Sequence, residues 1–286
     1  MTQGQATEPD SKPDSAGREA VEITAVILAA LLVITVVRVL FFRPYTIPSA
    51  SMEPNLYEGD YIVVSKFDYG YSRHSIPFSP PLFRGRVLGH APERGDVVVF
   101  KLPREASGSR EDYIKRVIGL PGDRIQVKHS VVYINDQPVL RRSAPPGLEA
   151  MGDGLSGSVA RFTETLPNGR TFLTNSYGDD GPADNTGVYR VPPHCYFMLG
   201  DNRDNSLDSR FDPDMPADAT GPATCGWDST VDADVPNFAG VGFVPEEDLI
   251  GRARMVLFSW RPGASIFKPW TWFENFRAER AFKTLS

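Results

Sequence analysis

Apolar residues follow two different patterns along the chain, and the first is a continuous run near the N-terminus. The run from Ile23 to Phe42 holds a single charged residue, Arg38, near its end. Twenty helical residues span about 30 Å, which is the thickness of the hydrocarbon core of a bilayer. We therefore predict one transmembrane helix over residues 23–42, preceded by a solvated, disordered tail over residues 1–22.

Two other interpretations of this apolar run were weighed against a membrane span. A buried core helix of this length normally carries a polar stripe, but residues 23–37 contain only Thr24 and Thr35 as polar positions. A cleaved signal peptide has a shorter apolar stretch behind a basic segment, whereas Glu19 and Glu22 precede this one. The pattern favours a single uncleaved span.

The second pattern, over residues 43–286, consists of short apolar runs rich in β-branched and aromatic residues. Turn residues such as Gly, Asp and Asn separate the runs, and helix and strand patterns do not alternate. This pattern predicts a mainly β domain built on an antiparallel sheet, not a doubly wound parallel sheet. The predicted strands lie in residues 61–67, 96–100, 113–120, 124–135, 195–199 and 253–260.

Three segments differ in composition from the rest of this domain. Residues 141–190 are polar and Gly-rich, which predicts long hairpins that leave the main sheet. Residues 212–240 are rich in Asp, Pro and Gly, and we predict a loop insertion there. Residues 264–286 mix aromatic and basic side chains, which suits either a face at a membrane interface or packing on the domain surface.

Composition narrows the class of protein without naming a reaction. With 41% hydrophobic and 23% charged residues, the chain can bury a core, so wholesale disorder is excluded. The net charge of −6 disfavours nucleic acid as a partner, because phosphate binding needs a basic face. The 2 Cys exclude a four-Cys zinc site, and the 4 His show no metal-ligand spacing. We therefore predict no metal and no cofactor.

Two serines just after the apolar run are the first candidates for chemistry. Ser49 and Ser51 lie between Pro48 and Pro54, which restricts the backbone around them. In an extended segment, side chains two residues apart point the same way and can converge on one atom. A polar turn after the membrane is the alternative interpretation.

A lysine in a predicted strand is the second candidate. Strand alternation places Lys115 on one face together with Tyr113 and Val117. If that face is buried, a charged lysine is costly unless it is neutral or paired. A lysine on a solvated face is the alternative.

Together, the two candidates suggest a Ser–Lys hydrolase. A serine hydroxyl needs a base, and a lysine can serve when burial lowers its pKa toward neutrality. Apolar residues such as Met52 and Phe197 are available to exclude water. The chain has no G-x-S-x-G motif and no recognisable His-based triad motif, which argues against the commoner serine hydrolase arrangement.

Six segments follow the apolar run in a fixed order: IPSASMEPNL, GDYIVVSKFDYG, RGDVVVFKLP, YIKRVIGLPGD, GDNRDNSLDSRF and GFVPEEDLIGRA. This set resembles the ordered motifs of bacterial type I signal peptidases. Each alone would be weak, but six in the family's order after an apolar run are specific. The resemblance implies a membrane-anchored serine endopeptidase that removes signal peptides from exported preproteins and cuts after small residues.

The resemblance also assigns roles to single residues. Ser51 matches the family's nucleophile, and Lys115 matches its general base. Ser49 matches the side-chain donor of the oxyanion hole, alongside the backbone N–H of Ser51. Ser206 matches the residue whose hydrogen bond orients the lysine.

The match to the family extends to a structural ion pair, and it includes two departures. Asp208 and Arg210 resemble an ion pair that holds the loop around Ser206. Ala50 stands where Gly is common in the family, and Asn55 stands where Thr is common. We expect neither departure to affect the chemistry.

Substrate recognition is expected to follow the family as well. An extended substrate would lie against a strand, with shallow apolar pockets for Ala-like residues at the first and third positions before the cut. The expected partners are signal peptides at the exit of the export machinery and membrane lipids, and we expect a monomer. By motif position, the predicted pocket residues are Ile47, Pro48, Met52, Leu56, Ile62, Val99, Tyr113 and Ile114.

The orientation in the membrane follows from the resemblance, because two basic residues on each side of the apolar run leave the charge rule undecided. Exported preproteins are cut on the outer face, so the catalytic domain is expected outside the cell membrane and residues 1–22 in the cytosol. That compartment permits disulfides. Cys195 and Cys225 are therefore expected either to form one bridge or to remain two free thiols.

Three alternative functions were weighed. Asp and Asn spacing after Asp201 suggests a calcium loop, but Ser206 and Asp212 stand where an EF-hand needs Gly and Glu. A self-cleaving repressor would share the Ser–Lys chemistry, yet it would be soluble and carry a DNA-binding region. A membrane-tethered β domain that binds peptide or glycan would not need paired Ser and Lys.

Overall fold

A computed structural model gives the structure of the chain. It describes residues 15–76, 79–83, 85–102, 111–150, 156–211, 225–226, 240–263, 268 and 270–285. Residues 1–14 of the predicted tail and nearly all of the predicted insertion at 212–240 lie outside the described residues.

The N-terminal helix α1, Ser15–Leu40, differs in its bounds from the predicted span. It begins inside the segment predicted as a disordered tail, and it ends at Leu40 rather than Phe42. Polar residues continue the helix there, and an i, i+4 ion pair joins Arg18 to Glu22 at 3.7 Å. Its segment Gly17–Arg38 is exposed, and it is long and apolar enough to cross a membrane.

The described part of the body is mainly β, as predicted. Seven strands form one antiparallel sheet in the order β1-β2-β14-β3-β4-β12-β13. The strands are β1 Phe42–Thr46, β2 Asp60–Ser65, β3 Val97–Lys101, β4 Asp112–Gly119, β5 Arg124–Lys128, β6 Val131–Ile134, β7 Gln137–Pro138, β8 Leu140–Ala150, β9 Ser156–Thr165, β10 Thr171–Ser176, β11 Tyr189–Arg190, β12 Cys195–Leu199, β13 Val244–Pro245 and β14 Leu249–Ser259.

Strand β4 has two neighbours over only part of its length. It pairs with β3 from Asp112 to Arg116. Its pairing with β12 begins at Arg116 and extends to Gly119. Within the described residues, the first half of β4 therefore has one free edge.

Two smaller antiparallel sheets lie beside the main one. β8, β9 and β10 form a three-stranded sheet within the predicted excursion over 141–190. It meets the loop after β12 through an isolated bridge between Asn175 and Asn202. The third sheet has the order β11-β5-β6-β7. Its β5–β6 hairpin turns at His129 and Ser130, whose φ angles are +47° and +61°.

A core cluster lies directly beneath the segment that carries Ser49 and Ser51. Burying each Met, Leu or Ile side chain stabilises the fold by about 1.5–3 kcal/mol, so this cluster holds both ends of the segment in place. Its buried members are Ile47, Met52, Leu56, Ile62, Val64, Val97, Val99, Ile250, Ala253 and Val256.

The C-terminal segment divides between the two predicted environments. Arg280 is buried, and its Nε donates to Asp60 Oδ1 at 2.9 Å, so part of the segment packs on the domain. Helix α2, Trp270–Asn275, instead exposes Trp270, Trp272 and Phe273, the last by 87%. The exposed rings fit the interfacial alternative.

A disulfide joins Cys195, the first residue of β12, to Cys225 of the predicted insertion. The Cα atoms of the two residues are 5.7 Å apart. The sequence left open whether the two cysteines form a bridge or remain free thiols, and in the structure they form the bridge.

Candidate active site

The two serines lie in a short turn that follows an extended stretch. Ile47 is held on both sides of its backbone by Gly59 and Asp60, at 3.0 Å and 2.9 Å. Ser49 is extended, with φ −141° and ψ 155°, but Ala50–Met52 form a 3₁₀ turn, so the segment is not extended throughout as the sequence suggested. The hydroxyl oxygens of Ser49 and Ser51 nevertheless lie 3.3 Å apart.

Lys115 of β4 reaches the second of these serines. Its Nζ lies 2.5 Å from Ser51 Oγ, although 64 residues separate the two in sequence. The lysine is 4% exposed, which agrees with the predicted buried face. Burial lowers the pKa of Lys115 to about 8, because a desolvated ammonium is unfavourable; the charges of Asp208 and Asp201 oppose this shift.

The loop after β12 covers the serine segment from the other side. Asn202 N–H donates to Ser51 O at 3.2 Å. The predicted ion pair is present, with Arg210 Nε 2.8 Å from Asp208 Oδ1, and both side chains are buried. The Gly200 N–H donates to Asp208 Oδ2 at 3.0 Å, so this pair fixes the start of the loop.

Ser206 lies in the same cavity as Ser51 and Lys115. Its Oγ is buried, and within the described residues it has no hydrogen-bond partner. The hydrogen bond to Lys115 that the family resemblance implies is therefore not formed in this structure. Its predicted role in orienting the lysine stays a prediction.

A second buried ion pair lies behind the lysine, and no local sequence pattern predicts it. Arg116, the neighbour of Lys115 on β4, donates to Asp201 from Nε at 2.8 Å and from Nη2 at 2.9 Å. Its guanidinium carbon lies 4.1 Å from the centre of the Phe172 ring. Lys115 and Arg116 are successive residues of β4, so their side chains lie on opposite faces of the strand. Both side chains are buried.

A cavity of about 560 Å³ opens over the Ser51 and Lys115 side chains. Of the predicted pocket residues, Pro48, Tyr113 and Ile114 line it. The other five do not reach it and are core side chains with 0–2% exposure, which corrects their expected placement. These are Ile47, Met52, Leu56, Ile62 and Val99.

This arrangement brings a hydroxyl, an amine of lowered pKa and an apolar wall into one cavity. An uncharged amine at 2.5 Å can accept the hydroxyl proton, which makes the oxygen a nucleophile. Among the described residues, no group of three or more His, Cys, Asp or Glu side chains could hold a metal ion. The geometry of Ser51 and Lys115 suits a serine hydrolase with an amine base.

Comparison with known proteins assigns the chain to a family. The sequence model of the family described as "Signal peptidase, peptidase S26" matches residues 20–260. The chain belongs to this signal peptidase family. As a member of the S26 family, it is a serine peptidase whose activity is the removal of signal peptides.

Two curated relatives that align with this chain over most of their length are named Signal peptidase I. Signal peptidase I of Rickettsia typhi is 39% identical, over 94% of this chain and 93% of the relative. Signal peptidase I of Rickettsia prowazekii is 38% identical, over 87% of this chain and 88% of the relative. A crystal structure of a signal peptidase I from Enterococcus faecalis covers 57% of this chain and 97% of its own, with 20% identity and a TM-score of 0.27, a likeness too low to inform the fold.

Proposed function

We propose that this signal peptidase works through a Ser–Lys dyad, with Ser51 as the nucleophile and Lys115 as the general base. The observation that carries the proposal is the 2.5 Å separation of Lys115 Nζ and Ser51 Oγ. The lowered pKa of Lys115, about 8, supports it, because a useful fraction of the amine is then uncharged near neutral pH.

The dyad divides the reaction into two steps. Neutral Lys115 takes the proton of Ser51 Oγ, and the oxygen attacks the carbonyl carbon of the scissile bond. The resulting ammonium then gives its proton to the leaving amine. The scissile C–N bond breaks, and the acyl group stays on Ser51 as an ester, the acyl-enzyme. Water, deprotonated by the same amine, hydrolyses that ester and restores the serine. Ser206, in the same cavity, is proposed to orient the lysine during these transfers.

Ser49 is proposed to stabilise the oxyanion that forms in each step. Its hydroxyl lies 3.3 Å from Ser51 Oγ, so it stands beside the carbon that this oxygen attacks. A donor placed there stabilises the tetrahedral intermediate more than the planar substrate. The backbone N–H of Ser51 is proposed as the second donor.

Cleavage after small residues is proposed from the free edge of β4. Residues 112–115 pair with β3 on one side, and a substrate strand could add on the other. Side chains alternate along an extended substrate, so its first and third residues before the cut would face one wall. Pro48, Tyr113 and Ile114 line the cavity there, which suits small apolar side chains.

Membrane anchoring through α1 is proposed from the composition and exposure of that helix. The segment Gly17–Arg38 is apolar and exposed, which is costly in water and favourable in lipid. We propose that the helix crosses the cell membrane once, with residues 1–22 in the cytosol and the catalytic domain on the outer face. The proposed partners are signal peptides of preproteins and membrane lipids, which the exposed α2 rings would contact. The active unit is proposed to be a monomer.

Cleavage of a preprotein with an Ala-x-Ala site tests the dyad. We expect Ser51→Ala and Lys115→Ala to abolish cleavage while leaving the circular dichroism spectrum unchanged. Lys115→Arg should also be inactive, because a guanidinium stays protonated and cannot act as a base. Exposed Ser143 and Lys128, each changed to Ala, are matched controls that should retain full activity.

Retained turnover in Ser51→Ala would exclude Ser51 as the nucleophile and with it the dyad. Cleavage that survives Lys115→Arg would exclude the amine as the base. A substrate with a large residue directly before the cut should resist the wild-type protein, and equal cleavage of it would contradict the proposed specificity.

A further inference from the structure

Asn55, four residues after Ser51, makes two side-chain hydrogen bonds at once. Its Nδ2 donates to Leu173 O at 2.7 Å and to Asp201 Oδ2 at 2.8 Å. Leu173 belongs to β10 of the smaller three-stranded sheet, whereas Asp201 belongs to the loop after β12. One amide therefore joins the segment that carries Ser51 to two other parts of the fold.

The carboxylate that Asn55 contacts is a buried charge beside the lysine. Asp201 is 1% exposed and receives two hydrogen bonds from Arg116, at 2.8 Å and 2.9 Å. Arg116 adjoins Lys115 on β4. Asn55 supplies a further N–H, so the negative charge of Asp201 is shared among three donors.

The loop and the serine segment are also joined on the other side of Ser51. Asn202 N–H donates to Ser51 O at 3.2 Å, and Asn202 Nδ2 lies 3.3 Å from Ala50 O. The backbone carbonyl of Asn55 in turn accepts a hydrogen bond from Arg280 Nη2 at 2.9 Å. Hydrogen bonds to other parts of the fold thus hold the serine segment at two places, residues 50–51 and Asn55. The side chain of Asn55 supplies the hydrogen bonds at the second place.

We propose that Asn55 is a positioning residue for the Ser51–Lys115 dyad. Its side chain holds the serine segment against both β10 and the Asp201 loop. The N–H that it donates also offsets part of the electrostatic effect of the Asp201 carboxylate on the lysine. The inference rests on the dyad of the proposed function. It replaces the expectation from the sequence that this departure from the family pattern has no effect on the chemistry.

An amide is the side chain that fits this position. Its two N–H groups serve the Leu173 carbonyl and the Asp201 carboxylate together. A threonine offers one O–H and can serve only one of them. An aspartate of the same shape offers none and would place a second carboxylate against Asp201.

Removing the Asn55 amide should change the pKa of Lys115 in a defined direction. Asp208 and Asp201 raise the pKa of Lys115, Arg210 lowers it, and burial lowers it most. Removing the Asn55 donor leaves more of the Asp201 charge unbalanced, since Arg116 is then its main partner. The pKa of Lys115 should rise, and the acid limb of the pH–rate profile should move to higher pH.

The test compares Asn55→Asp and Asn55→Thr with wild type in the full-length protein, using preprotein cleavage across pH 6–10. We expect Asn55→Asp to lose about tenfold to hundredfold in kcat through misplacement of the serine, with KM changed less than about threefold. Its acid limb should move to higher pH. Asn55→Thr should fall between Asn55→Asp and wild type in both quantities, because it restores one donor.

Asn135→Asp is the matched control. Asn135 Nδ2 donates to Asp123 Oδ1 at 2.8 Å, the same kind of amide–carboxylate bond, in the β5–β6 sheet. This variant should lower Tm without moving the acid limb or kcat measured at 25 °C.

One result would overturn the inference: Asn55→Asp with wild-type kcat and an unmoved acid limb, whether or not its Tm falls as for Asn135→Asp. If Asn55→Asp does not fold, the same criteria apply to Asn55→Thr. Ser51→Ala, measured in parallel, separates the two proposals: activity there removes the dyad, whereas its inactivity beside a normal Asn55→Asp removes only the role of Asn55.

Discussion

At the residue scale, the burial of Lys115 makes the stability of the protein depend on pH. Burial lowers its pKa to about 8, so between pH 8 and the ordinary lysine range the unfolded chain binds a proton that the folded chain has released. The free energy of unfolding therefore rises with pH across that window. Below about pH 8, the folded state carries the full cost of a desolvated ammonium.

Replacing this lysine by an apolar side chain should stabilise the protein. We expect Lys115→Met to raise the free energy of unfolding by about 1–3 kcal/mol below pH 8, since the cost of the buried ammonium is removed. The gain should shrink as pH rises toward 10.5, and the variant should be inactive. Urea unfolding at pH 6.5 and pH 10 measures this, with exposed Lys128→Met as control; a gain independent of pH would contradict the buried ammonium.

The dyad also predicts how activity depends on pH. kcat/KM should rise with pH and level off above about 8, because only uncharged Lys115 accepts the Ser51 proton. The measurement is cleavage of one preprotein across pH 6–10, with substrate well below KM. A rate that is already maximal at pH 6 would mean that another group is the base.

Ser49 should matter to the transition state and little to binding. We expect Ser49→Ala to lose about 10²–10³ in kcat, the usual effect of removing one oxyanion donor, with KM nearly unchanged. Steady-state cleavage kinetics give both quantities, and Ser143→Ala is the control. A loss below about tenfold would remove Ser49 from the oxyanion hole.

At the element scale, local sequence patterns predicted the type of the strands better than their connections. Alternation and turn residues predicted β2, β3, β4 and β12 within two residues of their observed bounds, whereas β14 begins at Leu249, four residues before the predicted run. The run over 124–135, in contrast, contains two strands, because the chain reverses at His129 and Ser130. His-Ser lacks the Asn-Gly signal of such turns, so pairing with other strands rather than local preference forms this hairpin.

The disulfide belongs to this scale, because it fixes the first residue of the strand that leads into the Ser206 loop. Cys195 and Cys225 are 30 residues apart, and a loop of that length contributes about 3–4 kcal/mol in the chain-entropy model. We expect Cys195→Ala/Cys225→Ala to lose about that much stability in urea unfolding. Reductant should lower wild-type stability equally and leave the double variant unchanged; a reductant-insensitive wild type would contradict the bridge.

At the scale of the whole molecule, the proposed orientation of α1 can be tested by proteolysis. If α1 crosses the bilayer with the domain outside, trypsin added to intact spheroplasts should digest residues 43–286 and leave an N-terminal tag protected. A cytosolic marker protein controls for lysis. Digestion of the tag with protection of the domain would reverse the proposed orientation.

The sequence by itself determined the apolar span and the mainly β antiparallel class, and it indicated Ser51 and Lys115 as candidate catalytic residues. Each of these depends on short-range information: an uninterrupted apolar run, alternation with period two, or a contiguous motif. The ion pair of Asp208 and Arg210 is equally local, since the two residues lie in one loop.

Only the tertiary structure decided which side chains face the cavity and which hold it in place. Motif position did not distinguish Tyr113, in the cavity wall, from Leu56, in the core, because burial depends on what packs against each face. The contacts of Asn55 with Leu173 and Asp201 span 118 and 146 residues, so no periodicity along the chain encodes them. Long-range packing alone brings a hydroxyl and an amine to 2.5 Å, and it buries that amine, which lowers its pKa.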